Sequence, residues 1–253
     1  MTQREMIEVL HLTFLRVLGR PKGPDPSHFV LKGGTNLRFF YRSIRYSEDL
    51  DFDTIRTHDW RLGEQISGIL EAPALRLLLQ AHGLDLTDVT APRQTPTTQR
   101  WKMQILVTDG SLRARTKIEF SRRDVPYLGH RALEAIPAHV VERHGVVAPT
   151  VMRYLPYAAL RQKIETLPDR ATPQTRDVFD LELLFRQHPT AVTPGTVPAE
   201  QLSAAADTVR LLSFRNFADQ TLPFIDPEVV DLYDEREWTR MCAFVTDKLE
   251  ALR

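Results

Sequence analysis

Leu31-Lys32-Gly33-Gly34-Thr35-Asn36-Leu37 and, further along, Asp49-Leu50-Asp51-Phe52-Asp53 are the two stretches that decide the fold of this chain. The first combines the end of an apolar strand with a double glycine, a hydroxyl and the start of a helix. Glycines let backbone N–H groups approach a phosphate, and the N-terminus of the following helix adds positive partial charge. The first stretch therefore predicts a phosphate-binding turn at Gly33, Gly34 and Thr35, with Thr35 as the helix cap.

The second stretch alternates acidic and apolar residues, which is typical of a strand with one buried face. Asp49 and Asp51 then lie on one side, about 6–7 Å apart along the backbone. Two like charges at that spacing repel unless something neutralises them, and hard oxygen ligands select Mg²⁺, with Mn²⁺ as the alternative. An edge strand whose charges deter aggregation is the other explanation of an isolated Asp-x-Asp.

Two further residues are candidates for the same site. Glu119 lies on a later predicted strand, where it would complete a metal triad with Asp49 and Asp51 and act as a base, or instead pair with Lys117 or Arg122. Ser47 precedes Asp49 by two residues and faces the same side. It is predicted to bind phosphate or to be modified, with an ordinary turn serine as the alternative.

Composition excludes several classes of protein. The 253 residues carry 33 Lys+Arg and 33 Asp+Glu, so a polybasic nucleic-acid coat is excluded. One cysteine, Cys242, excludes an internal disulfide framework and a cysteine-based zinc cluster. The opening residues mix charges, and the longest apolar runs fall far short of the roughly 20 residues that span a bilayer. We therefore expect a cytoplasmic protein without a membrane partner.

Charge is nevertheless unevenly distributed along the chain. Residues 16–45 contain seven Lys/Arg and one acid, and residues 93–131 contain nine Lys/Arg and three acids, so each stretch carries +6. Both stretches border the predicted carboxylate site. They indicate either a local basic patch for phosphates or ordinary solvated surfaces.

The periodicity predicts a mixed α/β region followed by helices. Helices are expected at 4–18, 35–41, 60–80 (bent or divided at Pro73), 156–167, 175–187, 198–218 and 226–252, and strands at 28–31, 44–54, 84–89, 101–107 and 115–120. The region 124–150 is left unassigned. The change from a mixed strand-and-helix pattern to an all-helical pattern predicts a domain boundary at residues 155/156.

Two blocks of sequence resemble the AbiEii-type nucleotidyltransferases, toxins of type IV toxin–antitoxin and phage abortive-infection systems. The first is Lys32-Gly33-Gly34-Thr35 with Arg45-Tyr46-Ser47-Glu48-Asp49-Leu50-Asp51-Phe52-Asp53. The second is Leu160-Arg161-Gln162-Lys163-Ile164-Glu165-Thr166-Leu167, then Arg170, then Arg176-Asp177-Val178-Phe179-Asp180-Leu181. The resemblance is specific over residues 28–54 and 156–186.

The resemblance implies a fold and a set of roles. The fold is α/β (α+β), a polymerase-beta-like nucleotidyltransferase domain with a mixed sheet over residues 1–155. A helical domain over residues 156–253 would close the active site. Gly33, Gly34 and Thr35 correspond to the phosphate-binding turn, with threonine where the wider superfamily usually has serine, and Asp49 and Asp51 correspond to the metal ligands. Lys163 would contact nucleotide phosphates, and Asp177, or alternatively Asp180, would be the essential carboxylate.

The implied activity is metal-dependent transfer of a nucleoside monophosphate (NMP) from a nucleoside triphosphate (NTP) to an acceptor. For this family the acceptor would be the 3′ end of tRNA, and modification of that end would block translation. A genetically paired antitoxin would oppose the toxin and need not bind it. The alternatives are nucleotidylation of a protein and a non-catalytic nucleotide- or RNA-binding module. A glycosyltransferase using Asp-x-Asp is a further alternative, but it does not account for Gly33-Gly34, Lys163 or Asp177.

Overall fold

Seven strands form one mixed sheet in the computed structural model, which describes residues 1–20, 23–55, 59–122 and 126–253. The strands are β1 Phe29–Lys32, β2 Asp49–Thr54, β3 Leu84–Gln94, β4 Thr98–Val107, β5 Arg113–Ser121, β6 Arg131–Ala135 and β7 Thr150–Tyr154. Their spatial order is β3-β4-β5-β2-β1-β7-β6. Strand β2 is antiparallel to β1 and parallel to β5, so the carboxylate strand is a central strand.

Helices account for most of the other described residues. They are α1 Gln3–Leu18, α2 Gly33–Phe40, α3 Asp59–Glu71, α4 Pro73–Gln80, α5 Ala138–Val141, α6 Pro156–Asp169, α7 Thr175–Gln187, α8 Ala199–Leu211, α9 Phe214–Gln220 and α10 Glu235–Ala251. The predicted mixed α/β class is confirmed. Proline at position 73 divides the helix predicted over 60–80, because proline favours the first turn of a helix over its interior.

The chain divides into two compact units, each made of three segments. The first unit comprises Met1–Phe40, Ser47–Val125 and Arg131–Arg153, and the second comprises Tyr41–Tyr46, Pro126–His130 and Tyr154–Arg253. Two short segments therefore group with the C-terminal helices although they lie far upstream in sequence. The boundary predicted at 155/156 stays a prediction.

The first unit buries one face of its sheet under helices. Alternate residues of the strands supply the buried side chains, including Trp101, Ile118 and Phe120. The Phe52 ring stacks on Phe120 with a centroid distance of 4.8 Å. Helix α1 packs against β4 and β5, and α4 packs against β3. The charged residues of the same strands consequently lie on the other face of the sheet.

The second unit is a helical assembly around an aromatic cluster, in which Phe217 stacks on Trp238 at 4.6 Å. The helix predicted over 198–218 is in fact two, because Ser213 begins α9 with a capping hydrogen bond from the Asn216 N–H. The helix predicted over 226–252 begins only at Glu235, after the cap residue Asp234.

The unassigned region 124–150 contains β6, α5 and the beginning of β7. Strand β7 pairs in parallel with β1, a long-range contact that carries little local signal. None of the helices in the described part of the chain combines the length and the apolar character that a bilayer crossing requires.

Candidate active site

The diglycine turn connects β1 directly to α2, which begins at Gly33. Gly33 has a φ of +68°, a conformation that side chains disfavour. A Cβ at this position would also lie 3.2 Å from Asp51 Oδ2. The antiparallel pairing of Lys32 with Asp51 produces this approach. The structure thus brings the predicted phosphate turn and the predicted metal ligand together in the first unit.

Thr35 is not the helix cap that the sequence predicted. It lies within the first turn of α2, because the helix begins two residues earlier, at Gly33. Its side chain is 1 % exposed, and its hydroxyl donates a 2.6 Å hydrogen bond to the carbonyl oxygen of Asp49. The Ser47 hydroxyl donates to the same carbonyl at 3.1 Å. Both hydroxyls therefore fix the beginning of β2, and their phosphate contacts stay predictions.

The three aspartates of β2 share one face, as the alternation predicted. Asp49 Oδ2 lies 3.0 Å from Lys117 Nζ, and Asp53 forms an ion pair with Lys32. Burial and then the negative charge of Asp49 raise the pKa of Asp51 to about 6, against the opposing effect of both lysines. Because β2 lies between β1 and β5, the edge-strand explanation of these charges is wrong.

Glu119 lies opposite Asp51 in the register of β5 and β2. Its carboxylate is held by Arg100, whose Nε donates at 2.6 Å. The predicted pairing with Lys117 or Arg122 is therefore wrong, since Lys117 pairs with Asp49 and Arg122 bonds Gln99.

The predicted three-carboxylate metal group is not assembled in the structure. Among the residues that the structure describes, no cluster of three or more His, Cys, Asp or Glu is arranged to hold a metal ion. Asp49 and Asp51 by themselves fit a divalent cation. They are hard oxygen donors on one face of β2, and a bound cation would offset both the burial of Asp51 and the negative charge of Asp49, the two largest causes of the raised pKa of Asp51.

The second unit contains a buried charge cluster built on α6 and α7. Asp177 and Asp180 lie three residues apart on α7, share a face as predicted, and are both 0 % exposed. Lys163 Nζ on α6 lies 2.8 Å from Asp177 Oδ1 and 2.6 Å from Asp180 Oδ2. Arg170 Nε donates to the other oxygen of Asp177 at 2.7 Å.

Arg45 completes this cluster and is the residue whose position sequence reasoning missed. Its guanidinium donates to both carboxylate oxygens of Asp180 at 2.8–3.1 Å. Burial raises the pKa of Asp177, but the charges of Lys163 and Arg170 outweigh burial and hold that pKa at about 2. Both aspartates are paired with cations, and the formal charges of the three basic and two acidic side chains in the cluster sum to +1.

Comparison with known families settles the class of the protein. The model of the AbiEii nucleotidyl transferase toxin family, type IV toxin–antitoxin system, matches residues 16–251. The chain belongs to this family. As an AbiEii protein it is a nucleotidyltransferase enzyme of the toxin–antitoxin class, which confirms the resemblance read from the two motif blocks.

Solved structures agree with the AbiEii assignment at the level of the fold. The JHP933 protein of Helicobacter pylori is 19 % identical, with a TM-score of 0.62 over 99 % of this chain and 94 % of its own. MenT4, a nucleotidyltransferase toxin of Mycobacterium tuberculosis, is 18 % identical, with a TM-score of 0.56 over 99 % of this chain and 84 % of its own. No curated protein matches the AbiEii chain described here in sequence.

Proposed function

We propose that this AbiEii nucleotidyltransferase transfers NMP from an NTP to the 3′ end of tRNA and thereby blocks translation. The observation that supports the proposal is the close approach of Gly33 to Asp51, which brings the predicted phosphate-binding turn beside the strand that carries Asp49 and Asp51. The protein would act in the cytoplasm, where both substrates are found. Its paired antitoxin would oppose the effect without necessarily binding the toxin.

In the first unit, the backbone N–H groups of Gly33 and Gly34 and the N-terminus of α2 would hold the triphosphate. Asp49 and Asp51 would hold Mg²⁺, or Mn²⁺ in its place. The ion, when bound, neutralises phosphate charge and activates the acceptor hydroxyl. The acceptor oxygen forms a bond to the α-phosphorus, the hydroxyl proton is released, and pyrophosphate leaves.

In the second unit, we assign Lys163 to the stabilisation of the charge that develops on the leaving pyrophosphate. The net positive charge of its cluster supports this role. We assign the essential carboxylate to Asp177, because Asp177 pairs with both Lys163 and the partly exposed Arg170. Asp180, which is bound bidentately by buried Arg45, would instead fix the position of the Lys163 ammonium.

The deciding experiment incubates the protein with total RNA, Mg²⁺ and each α-labelled NTP in turn. We expect labelled tRNA, and we expect Asp49→Asn and Asp51→Asn to abolish the label. The exposed Asp207, changed to Asn, is the matched control and should retain full activity. Label in protein would instead indicate nucleotidylation of a protein. A parallel incubation with labelled nucleotide-sugars tests the glycosyltransferase, which would be indicated if these donors alone transferred label.

A second measurement separates catalysis from binding. Expression of the wild-type protein should inhibit growth, and both aspartate variants should relieve the inhibition. If growth inhibition persists in both variants, the protein acts as a non-catalytic binding module and the proposed enzymatic function is wrong.

A further inference from the structure

The exposed face of the sheet in the first unit carries four arginine and lysine side chains on the same side as the carboxylates of β2. We name this surface the basic face, and it consists of Arg93 on β3, Lys102 on β4, and Arg113 and Arg115 on β5. All four residues are exposed.

The strand register places the basic face on the same side of the sheet as Asp49. Asp49 pairs with Lys117 in the register, and Lys102 lies opposite Lys117 on the other side of β5. Arg113 and Arg115 precede Lys117 by four and two residues, so strand alternation gives them the same orientation. Arg93 lies opposite Arg100, whose side chain reaches Glu119 on this face.

The basic face carries a cost in stability, because like charges directly opposite each other on neighbouring strands repel. Two such pairs occur here, Lys102 with Lys117 and Arg93 with Arg100. Lys117 and Arg100 are compensated by acidic partners. Within the described residues, the side chains of the basic face form no ion pair or hydrogen bond. An arrangement that opposes folding and lacks internal partners indicates an anionic ligand.

The structure also separates these four residues from other basic residues of the 93–131 stretch. Arg122 is engaged by the carbonyl oxygen of Pro96 and by Gln99. Arg100 is held by Glu119. The sequence alone gave no reason to distinguish Arg100 or Arg122 from the basic face.

The spacing suits a polymer of phosphates better than a single phosphate. Alternate residues along β5 are about 6.7 Å apart, and neighbouring strands are about 4.8 Å apart, so the cations form a two-dimensional array. Among the described residues of β3, β4 and β5, both aromatic side chains, Trp101 and Phe120, are buried on the opposite face. The face therefore offers charge to a backbone but no platform on which bases can stack.

We propose that the basic face binds the sugar–phosphate backbone of the RNA acceptor, independently of its base sequence, and holds it beside Asp49. This proposal rests on the proposed function in one respect, namely that the acceptor is RNA. An acidic protein partner is the alternative that the experiment must distinguish.

The test measures the binding of fluorescein-labelled 20-nucleotide RNAs by anisotropy, without NTP, at several salt concentrations. The double variant Arg113→Gln/Arg115→Gln should bind about tenfold more weakly. The slope of log K against log salt should fall by about 1.4, since each phosphate contact on a single strand contributes about 0.7. The matched control is Arg16→Gln/Arg76→Gln, which removes two exposed charges on helices α1 and α4 and should bind as the wild type does.

Three further results decide the proposal. Two RNAs of different base sequence should bind the wild-type protein with equal affinity. Lys102→Gln should raise the midpoint of unfolding, because it removes the like-charge pair of Lys102 with Lys117. Unchanged affinity and salt slope in the double variant would overturn the proposal, as would a strong preference for one base sequence. Polyglutamate that displaces RNA at equal charge concentration would indicate an acidic protein partner instead.

The outcome is distinguishable from that of the proposed function. If no NTP labels RNA but the double variant still loses RNA binding, the proposed transfer fails and the basic face stands. If the double variant labels RNA at the wild-type rate and binds it equally well, the basic face fails and the transfer stands.

Discussion

Arg45→Met is the substitution that most directly tests the buried charge cluster of the second unit. The side chain of Arg45 is 6 % exposed and that of Asp180 is 0 % exposed. Without Arg45, the remaining cationic partner of Asp180 among the described residues is the Lys163 ammonium at 2.6 Å, which Asp180 shares with Asp177. The two buried carboxylates would then depend on Lys163 and on Arg170, which pairs with Asp177.

The expected loss is about 3–5 kcal/mol in the free energy of unfolding, because removing one partner of a buried ion pair leaves the other charge uncompensated. That is a large fraction of the roughly 5–15 kcal/mol typical of a folded protein. The control is Arg210→Met, whose side chain is 47 % exposed and pairs with Asp207 and Glu250. An exposed pair of this kind should contribute about 1 kcal/mol or less.

Urea denaturation at pH 7 measures both variants, and a double-mutant cycle with Asp180→Asn completes the test. The double variant Arg45→Met/Asp180→Asn should lose clearly less than the sum of the two single losses, because it leaves no unpaired buried charge. A loss below about 1 kcal/mol for Arg45→Met, equal to that of the control, would refute the reasoning. Strict additivity in the cycle would refute it as well.

Three more substitutions test the first unit. Gly33→Ala would place a Cβ 3.2 Å from a carboxylate oxygen at a residue whose φ of +68° disfavours side chains, so both the stability and the rate of NMP transfer should fall. The control is Gly110→Ala, at φ +76° with nothing within 4 Å of the added Cβ, which should lower only the midpoint of unfolding. Thr35→Val removes a buried 2.6 Å hydrogen bond and should cost about 1 kcal/mol in urea denaturation, which Thr35→Ser should largely avoid. Burial lowers the pKa of His11 from 6.5 to about 4, so protonation favours the unfolded chain. The free energy of unfolding should therefore decrease by about 3 kcal/mol as the pH falls from above 6.5 to below 4, and a pH series of melts on His11→Gln should lack this contribution.

The sequence predicts the parts of the site that depend on local pattern. The diglycine turn, the alternation of β2 and the shared face of Asp177 and Asp180 follow from residue spacings of one to four. Proline at position 73 marked a helix break for the same reason. Thr35 was misassigned because its hydroxyl bonds a residue 14 positions away, and no local rule distinguishes that bond from a cap.

Long-range pairing accounts for what the sequence could not predict. Arg45 and Asp180 are 135 residues apart. They belong to different motif blocks of the sequence, and neither block contains a signal for the other residue. The partner of Glu119 depends on the register of β4 against β5, which sets Arg100 directly opposite. Strand register is fixed by the packing of the buried face, so the pairing of charged residues on the other face follows from the core.

The unequal compensation of the β2 aspartates supports the proposal that this strand forms the metal and nucleotide site. Asp49 is paired with Lys117 on β5, and Asp53 is paired with Lys32 on β1. No ion pair among the described residues reaches Asp51, which lies between them and against the glycine that begins α2. Charges that served only solubility would be exposed and evenly compensated. Here the least compensated carboxylate instead lies beside Gly33, where the predicted phosphate-binding turn begins. A cation held at that point would reduce the repulsion within β2 and at the same time offer charge to a triphosphate at the turn.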